Sequence, residues 1–386
     1  MRVKNKDAFD DPTITVPFIL PVITDKDKKA ICNALESPLL TDGPKLREFE
    51  LSFAKFTGTK YAVGVSSATA ALHLALKAAN IKKGDEVIIP DLTFVATASA
   101  VLLTGATPVL ADVNYDLNIL PESVQKSITS KTKAILPVHF AGKSCNMDKI
   151  KKVATKNNLI LIEDCAHAIG AKSGKKHVGS FGSAGCFSFY PTKNITTIEG
   201  GMMITNSKKI ADYVRTARNH GISKSLKQRY SHGKPWEYDV TEAGYNYRLD
   251  EIRSALGISQ LKRINKLNLQ RKNACKYYNK KLKNVNGLIV PSYSTNTDNA
   301  YHLYILRVQK EFGISRDMLY SKLLRKGIRT SVHYKPLHKF SIMKKKGKMY
   351  DYLTNTKQIY EEIISLPLYP QISKIEQDRV ISCIIN

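Results

Sequence analysis

The chain has 386 residues, 43% of them hydrophobic and 24% charged, and a formal net charge of +27. This composition excludes a disordered tail, a collagen-like chain and a low-complexity polymer, and the length suits about two or three domains that fold without metal or disulfide staples. The positive excess attracts anions and is uneven, because residues 251–386 hold 26 Lys+Arg against 9 Asp+Glu.

No helix-and-spacing array of a nucleic-acid module accompanies this charge. A solvated lysine-rich surface accounts for it, as in Lys344-Lys345-Lys346 with Lys348, so nucleic acid is not expected as a partner. The six cysteines form no CxxC pair, which argues against a zinc ribbon or dithiol site and for reduced thiols in the cytoplasm. No apolar signal region stands in MRVKNKDAFDD at the start. Residues 92–111 are uncharged over a length that would span a bilayer. Gly105 and Pro108 divide them into a buried helix and a following strand, so no membrane span is expected.

From residue 60 onward, short apolar runs alternate with helical stretches. A strand is expected at 61–67, a helix at 68–80, a strand at 86–90, a helix at 93–105 and a strand at 107–113. Strands at 133–140 and 159–164 flank a helix at 148–158, and two more strands follow at 186–192 and 200–206. Alternation of this kind predicts a mostly parallel sheet covered on both faces. Several strands are apolar at consecutive positions, as doubly buried strands are. Beyond residue 250 the texture changes to one long helix at 250–284, a strand at 302–309, a helix at 316–327, a strand at 328–334 and a final helix. The expected organisation is a large α/β domain over 1–250, with the N-terminal segment, and a smaller α+β domain over 251–386.

Two motifs are decoys. Gly142-Lys143-Ser144 follows a strand, but a P-loop needs a glycine where Pro137 stands. Gly179-x-x-Gly182-x-x-Gly185 precedes a strand instead of opening a helix, so it is no dinucleotide fingerprint. Three other signals concern chemistry. Small residues from Ser66 to Ala71 stand where a strand gives way to a helix, a place that suits either a phosphate or an ordinary Ser67 N-cap. Glu163-Asp164 ends an apolar strand, where ligands of open sheets gather, though a solvated loop carboxylate fits as well. Lys193 follows a buried strand, between Pro191 and the Gly200-Gly201 pair, and a pocketed lysine forms Schiff bases. A phosphate seat, an acid at a strand end and then a lysine is the layout of a pyridoxal phosphate site.

At these residues the chain resembles the DegT/DnrJ/EryC1/StrS family of sugar aminotransferases, pyridoxal-phosphate enzymes of the aspartate-aminotransferase fold (fold type I). The resemblance runs from about residue 21 to 370. It includes LTDGPKLREFE (40–50), SSATAALHLAL (66–76), GDEVIIPDLTFVATASAV (84–101), VHFAGKSCNMD (138–148) and IEDCAHAIGA (162–171). It continues through GSFGSAGCFSFYPTKN (179–194), EGGMMITN (199–206), RNHG (218–221), GYNYRLDEIRSALGISQLKR (244–263) and VHYKPLH (332–338). The resemblance implies that Lys193 holds the cofactor covalently, that Asp164 faces its pyridine nitrogen and that Phe94 stacks on its ring. It further implies that Ala68, Thr69 and Ser188 cradle the phosphate. His167 stands where the family often has a glutamine against the ring oxygen. Asn246 matches an asparagine that reaches the phosphate of the neighbouring subunit, which implies a homodimer with shared sites.

The implied reaction moves an amino group from glutamate, through pyridoxamine phosphate, to a nucleotide-linked keto-sugar, with a 4-keto-6-deoxy hexose preferred. Arg229, His333 and His338 are candidate sugar or pyrophosphate contacts; packing or solvated surface explains them equally well. Two alternatives stand beside this reading. One is a sugar dehydratase of the same family, whose members carry histidine where this chain has Lys193. The other is a non-catalytic regulatory relative. The chain departs from the family pattern at Ile198, where many members have glycine, and at KSCNMD (143–148).

Overall fold

The computed structural model describes residues 13–224, 229–230, 234–293 and 297–386. Its strands are β1 (Tyr61–Val65), β2 (Glu86–Pro90), β3 (Thr107–Ala111), β4 (Thr132–Ile135), β5 (Ile160–Asp164), β6 (Lys172–Ser173) and β7 (Lys176–His177). They continue with β8 (Ala184–Ser188), β9 (Gly201–Thr205), β10 (Leu288–Ile289), β11 (Thr297–Asp298), β12 (Tyr304–Val308), β13 (Lys348–Met349) and β14 (Ile363–Leu366). Eight of them form one sheet in the order β1-β9-β8-β5-β4-β2-β3-β13. Only β9 runs antiparallel to its neighbours; the other seven share one direction. Every residue of β2 and β9 is buried, which explains their unbroken apolar runs: helices cover both faces.

Helices Ala68–Ala78, Val95–Leu103 and Met147–Lys156 occupy the expected positions to within a few residues, and a further helix, Lys208–Ala217, follows β9. The first three connect successive strands of the large sheet, β1 to β2, β2 to β3 and β4 to β5. The uncharged stretch at 92–111 is a nine-residue helix followed by β3, and no described helix is long and apolar enough to cross a membrane. A second, antiparallel sheet, β10-β12-β14, is packed by helices Ile264–Leu282, Arg316–Arg325 and Lys374–Ile385 around Tyr278, Tyr304, Leu306, Leu319, Leu323 and Ile364. All six cysteines are free thiols.

The structure departs from three local expectations. The long helix at 250–284 is two helices, Glu251–Leu261 and Ile264–Leu282. The break falls at Lys262-Arg263, where the Arg263 guanidinium donates to the fully buried Asp27 carboxylate and to the Val22 carbonyl. The expected strand at 328–334 forms only isolated bridges, Val16 with Ile328 and Ser331 with Ser365. Its chain leaves the sheet to reach loops of the large unit, as described below. The single final helix is three, Ser341–Lys346, Thr354–Glu362 and Lys374–Ile385.

Several links join the segments expected as two domains. Strand β13 adds to the large sheet beside β3, and Thr15 and Val16 bond back to Gly327. The Glu251 carboxylate, fully buried, accepts the N–H groups of Gly43, Lys45 and Leu46. These bonds satisfy orphan donors at the start of helix Pro44–Thr57.

Candidate active site

The C-terminal ends of the parallel strands converge. Val65, ending β1, pairs with Gly201, and Gly201 pairs with Ser188, ending β8. Asp164, ending β5, pairs with Cys186 two residues before Ser188, so Asp164 and Ser188 share one face of the sheet. A Cβ on Gly201 would lie 2.4 Å from the Ser67 carbonyl, so glycine lets β9 pass close to the start of helix Ala68–Ala78. Ser67 caps that helix, its Oγ accepting the Ala70 N–H at 3.1 Å. The N–H groups of Ala68 and Thr69 have no partner among the described residues. Ser67 is therefore the ordinary N-cap, and two donors at the same helix N-terminus remain open to an anion.

Asp164 is 4% exposed. Its Oδ2 accepts from the Thr97 hydroxyl at 2.9 Å and its Oδ1 from the Ala166 N–H at 3.0 Å. Thr97 Oγ1 in turn contacts Thr93 Oγ1 at 2.9 Å. Burial pushes the carboxyl above the usual carboxylate range, while these donors and the nearby Lys193 pull it down. Lys193 lies in the turn after β8, its N–H bonded to the Tyr190 carbonyl. Its amine has no ion pair or hydrogen bond among the described residues. Burial lowers its pKa to about 8, against the attraction of Asp164. The side chains therefore form a buried acid and an activated amine within electrostatic reach of each other.

Glu163 points to the opposite face of β5. Its oxygens accept the N–H groups of Gly179, Phe181 and Gly182 at 2.7, 2.7 and 2.8 Å and contact His139 at 3.0 Å. The glycine run is thus a loop wrapped around a buried carboxylate. His139, Glu163 and Cys165 bring possible metal-ligand atoms within 4.8 Å of one another, but the Cys145 N–H occupies the other His139 nitrogen at 3.1 Å and the Glu163 oxygens are saturated. Gly142, of the other decoy, takes φ +89 and accepts the Ala300 N–H. A Cβ there would stand 2.9 Å from the Tyr301 nitrogen, so this loop is a docking surface for residues 300–302.

Phe94, the N-cap of helix Val95–Leu103, leaves 54% of its surface open, and its ring centroid is 5.6 Å from that of Tyr334. His167 is buried and contacts Tyr334 Oη at 3.0 Å. Its ring lies 4.4 Å from that of His302, whose Nδ1 contacts Asn194 Oδ1 at 3.1 Å. Burial drives His167 and His302 well below the ordinary histidine value, and lowers His333 to about 3, with Lys193 adding to all three shifts. These imidazoles are neutral at pH 7.

The structure brings together Ala68, Thr69, Phe94, Asp164, His167, Ser188 and Lys193. His333 borders this group through Tyr334, with its Nδ1 on Ser365 Oγ at 2.8 Å. His338 serves the loop after β2: its N–H and ring contact the buried Asp91 carboxylate. Arg229 lies apart, with its Nε on the Pro235 carbonyl and its guanidinium 4.1 Å from the Tyr238 ring. Asn246 is exposed on a segment tied to Ala217, Arg218 and Ser66, and makes no contact with the lysine cluster within the chain among the described residues. Sequence reasoning missed Tyr334, Thr97 and His302; an uncharged helix with threonines four apart and the motif VHYKPLH were the available signals.

The family model described as the DegT/DnrJ/EryC1/StrS aminotransferase family matches residues 21–385. The chain belongs to this family. It is 41% identical over 373 residues to the spore coat polysaccharide biosynthesis protein SpsC of Bacillus subtilis, covering 96% of each chain. A putative sugar aminotransferase of Streptococcus pneumoniae, Spr1654, in its PMP-form superposes with a TM-score of 0.90 at 30% identity, over 96% of this chain and 98% of that one. PseC of Helicobacter pylori, an aminotransferase of pseudoaminic acid biosynthesis, gives 0.88 at 32% identity, over 96% and 98%. The fold is that of fold type I aminotransferases, as the sequence resemblance implied. One departure from the DegT/DnrJ/EryC1/StrS pattern gains a physical reading: Ile198, where many members have glycine, has φ +71, a conformation strained for a β-branched residue.

Thr97→Val keeps the shape but removes the donor to Asp164. It is expected to lower kcat about tenfold, the loss of one hydrogen bond to a charged group. Unchanged kinetics across the pH range would show that the hydroxyl does not act on Asp164.

Proposed function

We propose that the protein is a pyridoxal-phosphate-dependent aminotransferase that moves an amino group from glutamate to a nucleotide-linked keto-sugar, with a 4-keto-6-deoxy hexose preferred. The observation that carries this reading is the unpaired, half-buried Lys193 amine beside Asp164, at strand ends where the Ala68 and Thr69 N–H groups are free. The donor set fits the cofactor: two N–H groups at a helix N-terminus and the Ser188 hydroxyl for a phosphate, a buried carboxylate for a cationic ring nitrogen, and the open Phe94 face for a flat ring. When bound, pyridoxal phosphate supplies an electron-accepting ring.

The chain's own residues do the rest. Lys193 holds the cofactor and, once freed, moves a proton as a neutral amine at Nζ. Asp164, fixed by Thr97 and the Ala166 N–H, keeps the ring nitrogen protonated. The basic surface offers sites for a pyrophosphate, and Arg229 and His333 remain candidates for substrate contact. The presence of Lys193 argues against the dehydratase alternative, and the complete set Lys193, Asp164, Ser188 and Asn246 argues against a purely regulatory relative.

Asn246, exposed and apart from its own chain's cluster, serves the partner's cofactor phosphate in a homodimer. Asn246→Ala is expected to weaken cofactor affinity about tenfold, one hydrogen bond to a charged group; a fully active monomer would contradict the shared site. The deciding experiment is a visible absorbance titration of purified protein with pyridoxal phosphate, first with glutamate and then with a panel of nucleotide-linked keto-sugars. A yellow band that bleaches with glutamate and returns with one sugar identifies the reaction and its substrate. Absence of any band with cofactor in excess sinks the assignment.

A further inference from the structure

The segment 331–338 comes from the smaller sheet's neighbourhood and keeps His333 on it, yet its Tyr334 and His338 side chains end on loops of the large sheet. His338 is bound to Asp91 beyond β2, and His333 to Ser365 in β14. Between them Tyr334 stands against His167 from the loop beyond β5 and against Phe94 from the loop beyond β2. It is enclosed by Phe140 at 5.9 Å and His333 at 4.7 Å between ring centroids.

The direction of the His167 hydrogen bonds follows from chemistry. The Ala141 N–H, 3.4 Å from His167 Nδ1, can only donate, so Nδ1 is the unprotonated nitrogen. Burial keeps the ring neutral, with Lys193 and His333 adding to the effect. The proton of a neutral imidazole then sits on Nε2, which faces Tyr334 Oη at 3.0 Å. Tyr334 must accept that proton, and its own O–H is left for another acceptor. Burial and the nearby Asp164 raise the phenol's pKa, so the hydroxyl keeps its proton.

We propose that Tyr334 is a positioning residue of this site: it fixes His167 in the Nε2–H tautomer and in one ring plane, and presents its own hydroxyl proton beside Phe94. The contact crosses between the two units of the fold, so the seating of segment 331–338 sets the orientation of His167. The groups that face this pair are Lys193, Asp164, His302 and His333. This role deepens the proposed aminotransferase reading and rests on it only for its catalytic consequence.

Two measurements on the full chain test it. Long-range 15N NMR of histidine-labelled protein without cofactor is expected to show His167 as the Nε2–H tautomer, and Tyr334→Phe is expected to move those signals. A wild-type Nδ1–H tautomer, or signals unmoved by Tyr334→Phe, overturns the proposal. With pyridoxal phosphate added, the pH midpoint of the visible band is expected to shift by about half to one unit in Tyr334→Phe, the effect of one hydrogen bond. That shift is expected to vanish when the same change is made in His167→Ala, because Tyr334 acts through His167. An equal shift in both backgrounds also overturns the proposal. A wild type that never turns yellow would defeat the aminotransferase reading instead, and the NMR result would still decide the role of Tyr334.

Discussion

Lys193→Ala is expected to abolish amino transfer, with kcat falling by about 10⁴-fold or more, since one amine both anchors the cofactor and moves the proton. No yellow band should form, and normal transamination by this variant would refute the assignment. The amine's environment adds a pH signature. Its pKa is lowered to about 8 by burial, and only the neutral amine attacks an aldehyde. Capture of pyridoxal phosphate by cofactor-free protein should therefore quicken about tenfold per pH unit up to about 8 and then level off. Stability should follow the same shift. Below about 8 the folded chain carries a half-buried ammonium that solvent would accommodate better, and this penalty fades as pH rises from about 8 to 10.5. Cofactor-free Lys193→Ala is thus expected to melt no lower than wild type at pH 7, with any advantage shrinking at alkaline pH.

Asp164→Asn is the second large effect. The exchange keeps volume and one acceptor for Thr97 or the Ala166 N–H, but removes the charge. Turnover is expected to fall by about 10²- to 10³-fold, equivalent to about 3–4 kcal/mol of transition-state stabilisation. The melting-temperature gain on adding pyridoxal phosphate should shrink with it. The cofactor-free protein should behave in the opposite sense. The folded carboxyl's pKa is raised by burial, so its ionised form is a burden that grows as pH rises through that raised value. Without cofactor, Asp164→Asn is expected to be at least as stable as wild type at neutral pH; with cofactor, less stable. Wild-type kinetics and an undiminished melting gain would show that Asp164 does not face the ring nitrogen.

Local pattern determined much of this protein. The alternation of apolar strands and helices from residue 61 to 206 is visible in the chain because each element's burial is written into its own periodicity. Strand ends are equally local, so Ser67, Asp164 and Lys193 could be assigned to them from sequence order alone, and family motifs added their roles. What tertiary structure decided rests on pairs far apart in the chain. Thr97 meets Asp164 across 67 positions, and Tyr334 meets His167 across 167. Glu163 and Asp164 are adjacent and chemically alike, yet pleating sends one into a ring of backbone N–H groups and the other to the site. The expected helix at 250–284 breaks where Arg263 meets Asp27, 236 positions away, and the expected strand at 328–334 forms only isolated bridges as its Tyr334 turns to His167. Periodicity reports which face of an element is buried; it carries no record of which distant side chain will satisfy a buried polar group, and here those distant partners shape the site.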